Sequence, residues 1–374
     1  MIRVLHIISG LGIGGAEAML GQLVPMLQAR GLPQHVVSLT GTGPVARRLE
    51  AARVPLTLLD LRRSAGRLSG LPRLAGTVMR FQPDVIQGWM YHGDLAATFA
   101  HWASGGWRNR RLMWGVRCSD MDLARHARLI RTEAWLSRWP DVIVANSSSG
   151  ARVHLAHGYR PRRLEVIANG FDTERFRPDP LVRRDVRAGL GIGEEECVVV
   201  HVARVDPMKD HATLLRAVEG VPGLRLLLIG KGTDRLSPPA NAIVLGRRED
   251  VPRLLPAADM VVSSSAFGEG FCNALGEGMC AGLAPVSTDV GDARVIVGET
   301  GSIVPPGDWL SLRRALLSLA NLGPEGLRTA GLRARERIVA EFALARSVDR
   351  FAALYDPSQT YQKNETLADG VWQL

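Results

Sequence analysis

Cysteine and lysine are scarce in this sequence, and long apolar runs are absent. The four cysteines, Cys118, Cys197, Cys272 and Cys280, include no CxxC pair. That argues against a zinc module or a disulfide framework and fits a reducing compartment. No apolar stretch approaches the roughly 18–20 residues that span a bilayer. The opening segment Met1-Ile-Arg-Val-Leu-His-Ile-Ile-Ser9 is too short for a signal peptide and runs straight into glycines. A soluble, cytoplasmic protein is expected. No G-x-x-x-x-G-K-[ST] occurs, which excludes a P-loop ATPase. What remains is ordinary globular composition, 46% apolar and 22% charged over 374 residues, enough for two domains with cores of their own.

Of the 46 basic residues 43 are Arg, and they are unevenly placed. Up to Gly170 there are 22 Arg against 10 acidic residues, a charge of +12; from Phe171 onward 24 basic residues face 27 acidic ones, a charge of −3. One half is strongly basic and the other nearly neutral, so they are expected to do different jobs.

Short apolar runs alternate with amphipathic segments in two successive series. The first predicts strands at Val4–Ser9, His35–Leu39, Leu56–Leu59, Val85–Gly88, Leu112–Val116, Val142–Asn146 and Glu165–Ala168, with helices at Ala16–Arg30, Gly43–Ala52, Leu71–Phe81 and Ala124–Trp139. The second predicts strands at Cys197–Val202, Leu224–Ile229, Ala242–Val244, Met260–Ser263, Ala284–Ser287 and Ser302–Val304, with helices at Asp210–Val218, Asp250–Leu255, Asn273–Cys280 and Trp309–Leu319. Buried strands separated by helices imply βαβ units and parallel sheets, hence an α/β chain with two Rossmann-like domains. A polar Arg- and Pro-rich stretch, about Asp172 to Glu196, reads as the boundary, and the tail after Asp356 reads as frayed.

The first βα turn, Gly10-Leu-Gly-Ile-Gly-Gly-Ala-Glu17, fits G-x-G-x-x-G and lets backbone N–H groups approach a phosphate at a helix N-terminus. A dinucleotide site also needs an acid at the end of the second strand, and Val37-Ser-Leu-Thr-Gly41 has none. A phosphate or sugar is the better ligand, and a plain tight turn the alternative. In the second half, Arg204 and Lys209 stand in the turn His201-Val-Ala-Arg-Val-Asp-Pro-Met-Lys-Asp210, where two cations suit a diphosphate, a solvated loop with ordinary charges being the alternative. The segment Ser263-Ser-Ser-Ala-Phe-Gly-Glu-Gly-Phe-Cys-Asn-Ala-Leu-Gly-Glu277 sets an exposed Glu269 between glycines, with Asn273 as an N-cap and Glu277 one turn inside a helix. Both carboxylates face one crevice and suit vicinal sugar hydroxyls; for Glu277 a helix-dipole role is the alternative.

These residues resemble the retaining glycosyltransferases of family four, with the GT-B fold. The resemblance rests on Glu269-x7-Glu277, Arg204 with Lys209, Gly301-Ser-Ile-Val-Pro-Pro-Gly-Asp308, Gly14-Gly-Ala-Glu17 and Val166-Ile-Ala-Asn-Gly-Phe-Asp172, and covers about residues 2–350. Gly278 and Ala284 depart from the family pattern. The resemblance implies an acceptor-binding domain over 1–175, a nucleotide-sugar domain over 176–345, and a C-terminal helix (near 345–355) crossing back to the first domain, which the tail to 374 would join. It implies that Arg204 and Lys209 neutralise a diphosphate, that Glu277 binds ribose, and that Glu269 with the backbone of Gly270, Phe271 and Cys272 holds the sugar. Gly14 and Gly15 would approach the diphosphate, Arg247 the base, and His92, in Tyr91-His-Gly-Asp94, the sugar, with a structural histidine hydrogen-bonded at a strand end as the alternative for His92. The family is usually described by a front-face route in which the leaving phosphate accepts the acceptor proton.

No cofactor is expected. Asp120-Met-Asp122 looks like the metal-binding motif of another glycosyltransferase fold but sits in an Arg-rich loop, so metal-independent transfer of a hexose-type sugar from a nucleoside-diphosphate sugar is the expectation. His201 and His211 have no recognisable spacing. The basic clusters, Arg62, Arg63, Arg67, Arg73 and Arg80, then Trp102, Trp107, Arg108, Arg110 and Arg111, suit an anionic membrane surface, a plain solvated surface being the alternative; the resemblance implies a sugar or lipid-linked acceptor, as in bacterial polysaccharide, lipopolysaccharide or glycolipid synthesis. No nucleic-acid recognition module is present. A non-catalytic nucleotide-sugar scaffold and a nucleotide-sugar epimerase are the competing functions.

Overall fold

The computed structural model describes residues 1–12, 14–61, 64–105, 110–119 and 123–356. Two parallel sheets follow one another along the chain. The first holds β1 (Val4–Ile8), β2 (Gln34–Ser38), β3 (Leu56–Leu58), β4 (Val85–Trp89), β5 (Arg111–Val116), β6 (Val142–Ala145) and β7 (Leu164–Val166), in the order β3-β2-β1-β4-β5-β6-β7. The second holds β8 (Cys197–Val202), β9 (Leu224–Ile229), β10 (Ala242–Gly246), β11 (Met260–Ser263), β12 (Ala284–Thr288) and β13 (Ser302–Val304), in the order β10-β9-β8-β11-β12-β13. Each apolar run of the sequence forms its strand, because parallel strands covered on both faces must be apolar throughout.

Strand order reverses between β1 and β4 in the first sheet and between β8 and β11 in the second. Ligands of open α/β sheets bind outside the carboxyl ends of strands at such switch points. Residues 10–12, Gly14 and Gly15 follow β1, His92 follows β4, Arg204 and Lys209 follow β8, and Glu269 follows β11.

Several helices go beyond the sequence reading. Met90–Ala103, Ser148–Ala156, Ala293–Val297 and the 20-residue Gly323–Phe342 were not expected, and the helix expected from Leu71 begins at Ser64. The boundary stretch is also not all linker: Pro180–Gly189 is a helix, capped by the Asp179 carboxylate, which accepts from the Leu181 and Val182 amides. Phe176, Val186 and Ile192 from this stretch enter the core of the second domain.

The chain crosses between domains twice, and the crossings lie side by side. The Phe171 amide donates to Phe342 O (2.8 Å) and the Leu344 amide to Phe171 O (2.8 Å), while the Ser347 hydroxyl donates to Ala168 O (3.0 Å). After the second crossing the helix Leu344–Tyr355 packs Leu344, Val348, Phe351, Leu354 and Tyr355 into the core of the first domain. The Arg111 guanidinium donates to Leu354 O at 2.8 Å. This internal bond takes Arg111 out of the surface cluster expected from the sequence. Arg62, Arg63, Trp107, Arg108, Asp120, Asp122 and the tail after Asp356 lie outside the described residues.

Candidate functional site

The turn after β8 is shaped by its own aspartates. Asp206 accepts from the Met208 amide (3.1 Å), and Asp210, in the left-handed region at φ 44°, accepts from the Thr213 amide (3.1 Å) and so caps the helix His211–Val218. Aspartate tolerates that conformation because its short side chain bonds locally. Arg204 stands out from this turn with 60% of its side chain exposed, paired at 2.9 Å to Asp206. Lys209 points inward, and its ammonium donates to Glu269 Oε1.

Glu269 is buried rather than exposed. Its Oε1 also accepts from the Ser265 hydroxyl at 2.7 Å, and its carbonyl accepts from Ser119 of the first domain. The sequence reading failed here because the covering residues come from β5's loop, 150 positions away. Gly270 lies against the first domain: a Cβ there would sit 3.0 Å from Ser147 Oγ and 3.1 Å from Asn146 Oδ1. Phe271 faces inward, its ring stacked on Phe171 with centroids 5.8 Å apart. Cys272 is buried, with its thiol directed at Ser263 Oγ, and burial pushes that thiol up to about 11. The backbone of these three residues thus forms a fixed rim between the sheets.

The helix Asn273–Cys280 begins beside this rim, and Asn273 is not its cap. Cys272 holds that position with no side-chain bond to the helix. Asn273 Oδ1 instead accepts from Asn169 Nδ2 (2.7 Å), and Asn169 Oδ1 accepts from the Arg117 guanidinium (2.5 Å). A Cβ on Gly15 would sit 3.3 Å from Asn273 Nδ2, so the glycine turn of the first domain abuts the first turn of this helix. Glu277 lines a crevice with Ala18, Met19 and Gln22 of the first domain and Asn169, Asp172 and Asn273. Burial pushes Glu277 up to about 7, with Arg175 pulling the other way. The family departure at Gly278 has a packing reason: a Cβ would lie 2.5 Å from Val261 Cβ, so this helix sits closer to β11 than alanine permits.

The remaining sequence candidates are scattered around this centre. Gly14 is the N-cap of the helix Gly15–Ala29 in extended conformation. Arg247 follows edge strand β10 at the same carboxyl edge, two strands from β8, and its nearest charge is Glu249 at 3.6 Å. His92 lies in the first turn of the helix Met90–Ala103 rather than on a strand, exposed, with its ring 6.5 Å from that of His126. Partial desolvation by its neighbours, and then the charge of His126, lower its pKa. His201 and His211, which the spacing left unexplained, are buried with ring centroids 4.9 Å apart. Sequence reasoning missed Ser119, Ser265 and Asn146, which act through contacts formed only on folding. Among the described residues no three His, Cys, Asp or Glu come together as a metal set, and no helix is long and apolar enough to cross a membrane.

Comparison with known proteins agrees with this arrangement. A model described as Glycosyltransferase Family 4 matches residues 13–175, and one described as Glycosyl transferases group 1 matches residues 196–321. The chain is 32% identical over 237 residues to D-inositol 3-phosphate glycosyltransferases of Mycobacterium tuberculosis and Mycobacterium bovis, covering 58% of this chain and 48% of theirs. It spans about half the length of these curated relatives. Among solved structures it is similar to HepE of Anabaena in complex with UDP and glucose (TM-score 0.81, 21% identity, 95% of this chain and 99% of that one). It is also similar to sucrose-phosphate synthase of Thermosynechococcus elongatus (TM-score 0.74, 18% identity, 95% and 98%). The fold is GT-B, two parallel Rossmann-like sheets, and each of its two domains matches a glycosyltransferase model, Glycosyltransferase Family 4 on the first and Glycosyl transferases group 1 on the second.

Proposed function

We propose that this protein transfers a hexose-type sugar from a nucleoside-diphosphate sugar to a hydroxyl acceptor with retention of configuration. The observation that carries this reading is the Lys209–Glu269 pair at the β8/β11 switch point, with Arg204 in the same turn after β8 and Glu277 in the helix that follows β11. The diphosphate takes the place of carboxylate partners around Arg204 and Lys209, Glu277 accepts the ribose hydroxyls, and Glu269 with the 270–272 backbone holds the sugar. Arg247 lies toward the base, Gly14 and Gly15 close on the diphosphate, and His92 lies near the sugar.

In the reaction the bond from the anomeric carbon to the diphosphate oxygen breaks and a bond to the acceptor oxygen forms on the same face. The acceptor proton passes to the leaving diphosphate oxygen. Charge growing on that diphosphate is stabilised by fixed cations and backbone dipoles, the largest contribution available to such a site. A carboxylate nucleophile is the other route to retention; Glu269, tied at Oε1 by Lys209 and Ser265, is poorly placed for it. No metal is needed in this scheme.

The acceptor is a sugar or lipid-linked sugar, as in surface polysaccharide, lipopolysaccharide or glycolipid synthesis, met at an anionic membrane surface. Trp102 and Trp139, edge to face at 5.8 Å and each nearly half exposed, and Trp135, 61% exposed, support that contact on the basic first domain. Flotation with anionic liposomes at low salt tests it, and absence of binding removes it.

Thermal unfolding against UDP, GDP, ADP and NAD tests the donor reading. The solved HepE complexes hold UDP and UDP-glucose, which makes UDP the first nucleotide to try. A ligand at 100 times its Kd adds about 2.7 kcal/mol, a clear rise in midpoint. Stabilisation by NAD alone would overturn the reading, and silence from every nucleotide would favour a scaffold.

A further inference from the structure

Asp292 stands immediately before the helix Ala293–Val297, where an aspartate ordinarily caps the helix that follows. Its side chain makes no such bond. The carboxylate instead crosses to the first domain, accepting from the Ser148 amide at 2.7 Å and from the Ser149 amide at 2.9 Å. These are the first two residues of the helix Ser148–Ala156, whose N-terminal amides have no partner within their own helix. Ser147 already caps that helix through the Gly150 amide (2.9 Å), so Asp292 satisfies the donors that Ser147 leaves. An acidic group also complements the positive end of the helix dipole.

The same residue is tied to the rim of the cleft. The Asp292 amide donates to Gly270 O at 3.0 Å, and the preceding Gly291, at φ 65°, lies against the carbonyls of Glu269 and Gly270 where a Cβ would clash. One residue therefore holds the Glu269–Cys272 segment by its backbone and the first domain by its side chain. It is 5% exposed, so water does not compete for these bonds.

We infer that Asp292 is a positioning residue, a latch that fixes the Glu269–Cys272 segment against the first domain and so couples closure of the two domains to placement of the sugar. It touches no reacting atom; it acts through Gly270 and Ser148. The inference rests on the reading of this segment as the donor-sugar site.

Two variants test it from opposite sides of the contact. Asp292→Ala removes the acceptor. Ser148→Pro removes one donor at the first position of a helix, where proline is well tolerated, and the preceding Ser147 is already in the extended conformation that proline favours. Amide hydrogen exchange on the full chain reads the latch directly, whatever the enzyme turns over. In Asp292→Ala the amides of Ser148 and Ser149 and the segment 268–273 exchange at least about tenfold faster, and Ser148→Pro reproduces the loss of protection over 268–273. Turnover of UDP-glucose, followed as its hydrolysis, falls about tenfold or more in both variants through kcat, since misplacing a reacting group by about 1 Å can cost 10²-fold. UDP affinity stays within about twofold.

Faster exchange confined to 293–298 in Asp292→Ala, or unchanged protection over 268–273 in Ser148→Pro, overturns the inference by reducing Asp292 to a local structural residue. A wild-type protein that neither binds UDP nor hydrolyses UDP-glucose counts against this donor, while the exchange experiment still decides the latch.

Discussion

Lys209 and Glu269 are each other's counter-charge at the carboxyl edge of the second sheet. The ammonium donates to Oε1, the same oxygen that accepts from the Ser265 hydroxyl, and both side chains are largely buried. One residue comes from the turn after β8 and the other from the loop after β11, so the pair closes the switch point of that sheet. On the proposed function, a nucleotide sugar entering there would meet the cation and the carboxylate together, with the diphosphate drawn to one and sugar hydroxyls to the other.

Removing half of this unit should cost both stability and rate. Lys209→Ala leaves a buried carboxylate with Ser265 as its remaining side-chain donor, and destabilisation of about 1–3 kcal/mol is expected. The loss of a fixed cation beside the leaving group lowers turnover by about 10²–10³. Glu269→Gln added to Lys209→Ala removes the unpaired charge and returns part of the stability but none of the activity. Chemical denaturation of the two single variants and the double variant checks this. Additive losses in stability would show that the pair is not coupled.

Arg204 should behave in the opposite way. It is largely exposed and its contact with Asp206 is local, so Arg204→Ala changes stability by no more than about 0.5 kcal/mol. The same variant should lose about 10²–10³ in turnover if the guanidinium meets the diphosphate in the transition state. An enzyme with full activity and Arg204→Ala would remove the diphosphate role.

The departure at Gly278 gives a packing test. Gly278→Ala sets a methyl 2.5 Å from Val261 Cβ, and β11 cannot yield without disturbing the loop that carries Glu269. Overpacking of this kind costs about 1–3 kcal/mol, against which alanine returns at most about 1 kcal/mol of helix propensity. Val261→Ala in the same chain makes room and should recover most of the loss. A Gly278→Ala protein that melts at or above wild type would contradict the packing.

How much of this was legible in the sequence depends on the distance over which each residue acts. Strands were readable because buried parallel strands need apolar side chains on both faces, a local signal. The helix Pro180–Gly189 carried one too, in Asp179 followed by Pro180, a cap and a preset first turn, but the surrounding charge masked it as linker. Met90–Ala103 starts directly after β4 from Trp89 with no capping side chain, so nothing polar marks its start. Arg204 with Lys209, and Glu269 with Glu277, stood out as candidates because each pair lies within one short stretch of sequence. Asp292 could not be found that way: its position promises a cap for its own helix, and only the folded chain shows the carboxylate bonded to amides over 140 residues away.

Glu277 should show stability and binding responding to pH in opposite directions. Folding raises its pKa from 4.5 to about 7, chiefly by burial. Between those values the folded state keeps a proton that the unfolded chain has lost, so stability falls as pH rises from about 4.5 to 7 and then levels. Glu277→Gln removes that decline and should be more stable than wild type at pH 8 by on the order of 1–3 kcal/mol. Donor binding needs the charged form, whose oxygens accept from both ribose hydroxyls, so the affinity of wild-type protein for UDP should rise as pH increases through 7. Glutamine, with one acceptor oxygen and an amide donor, should bind UDP at least about tenfold more weakly and with little dependence on pH over the same range. Calorimetric titration with UDP at pH 6 and pH 8, on both proteins, measures this. Equal affinities for wild type and Glu277→Gln at pH 8 would move the ribose elsewhere, and leave the stabilisation as the sole consequence of a buried charge.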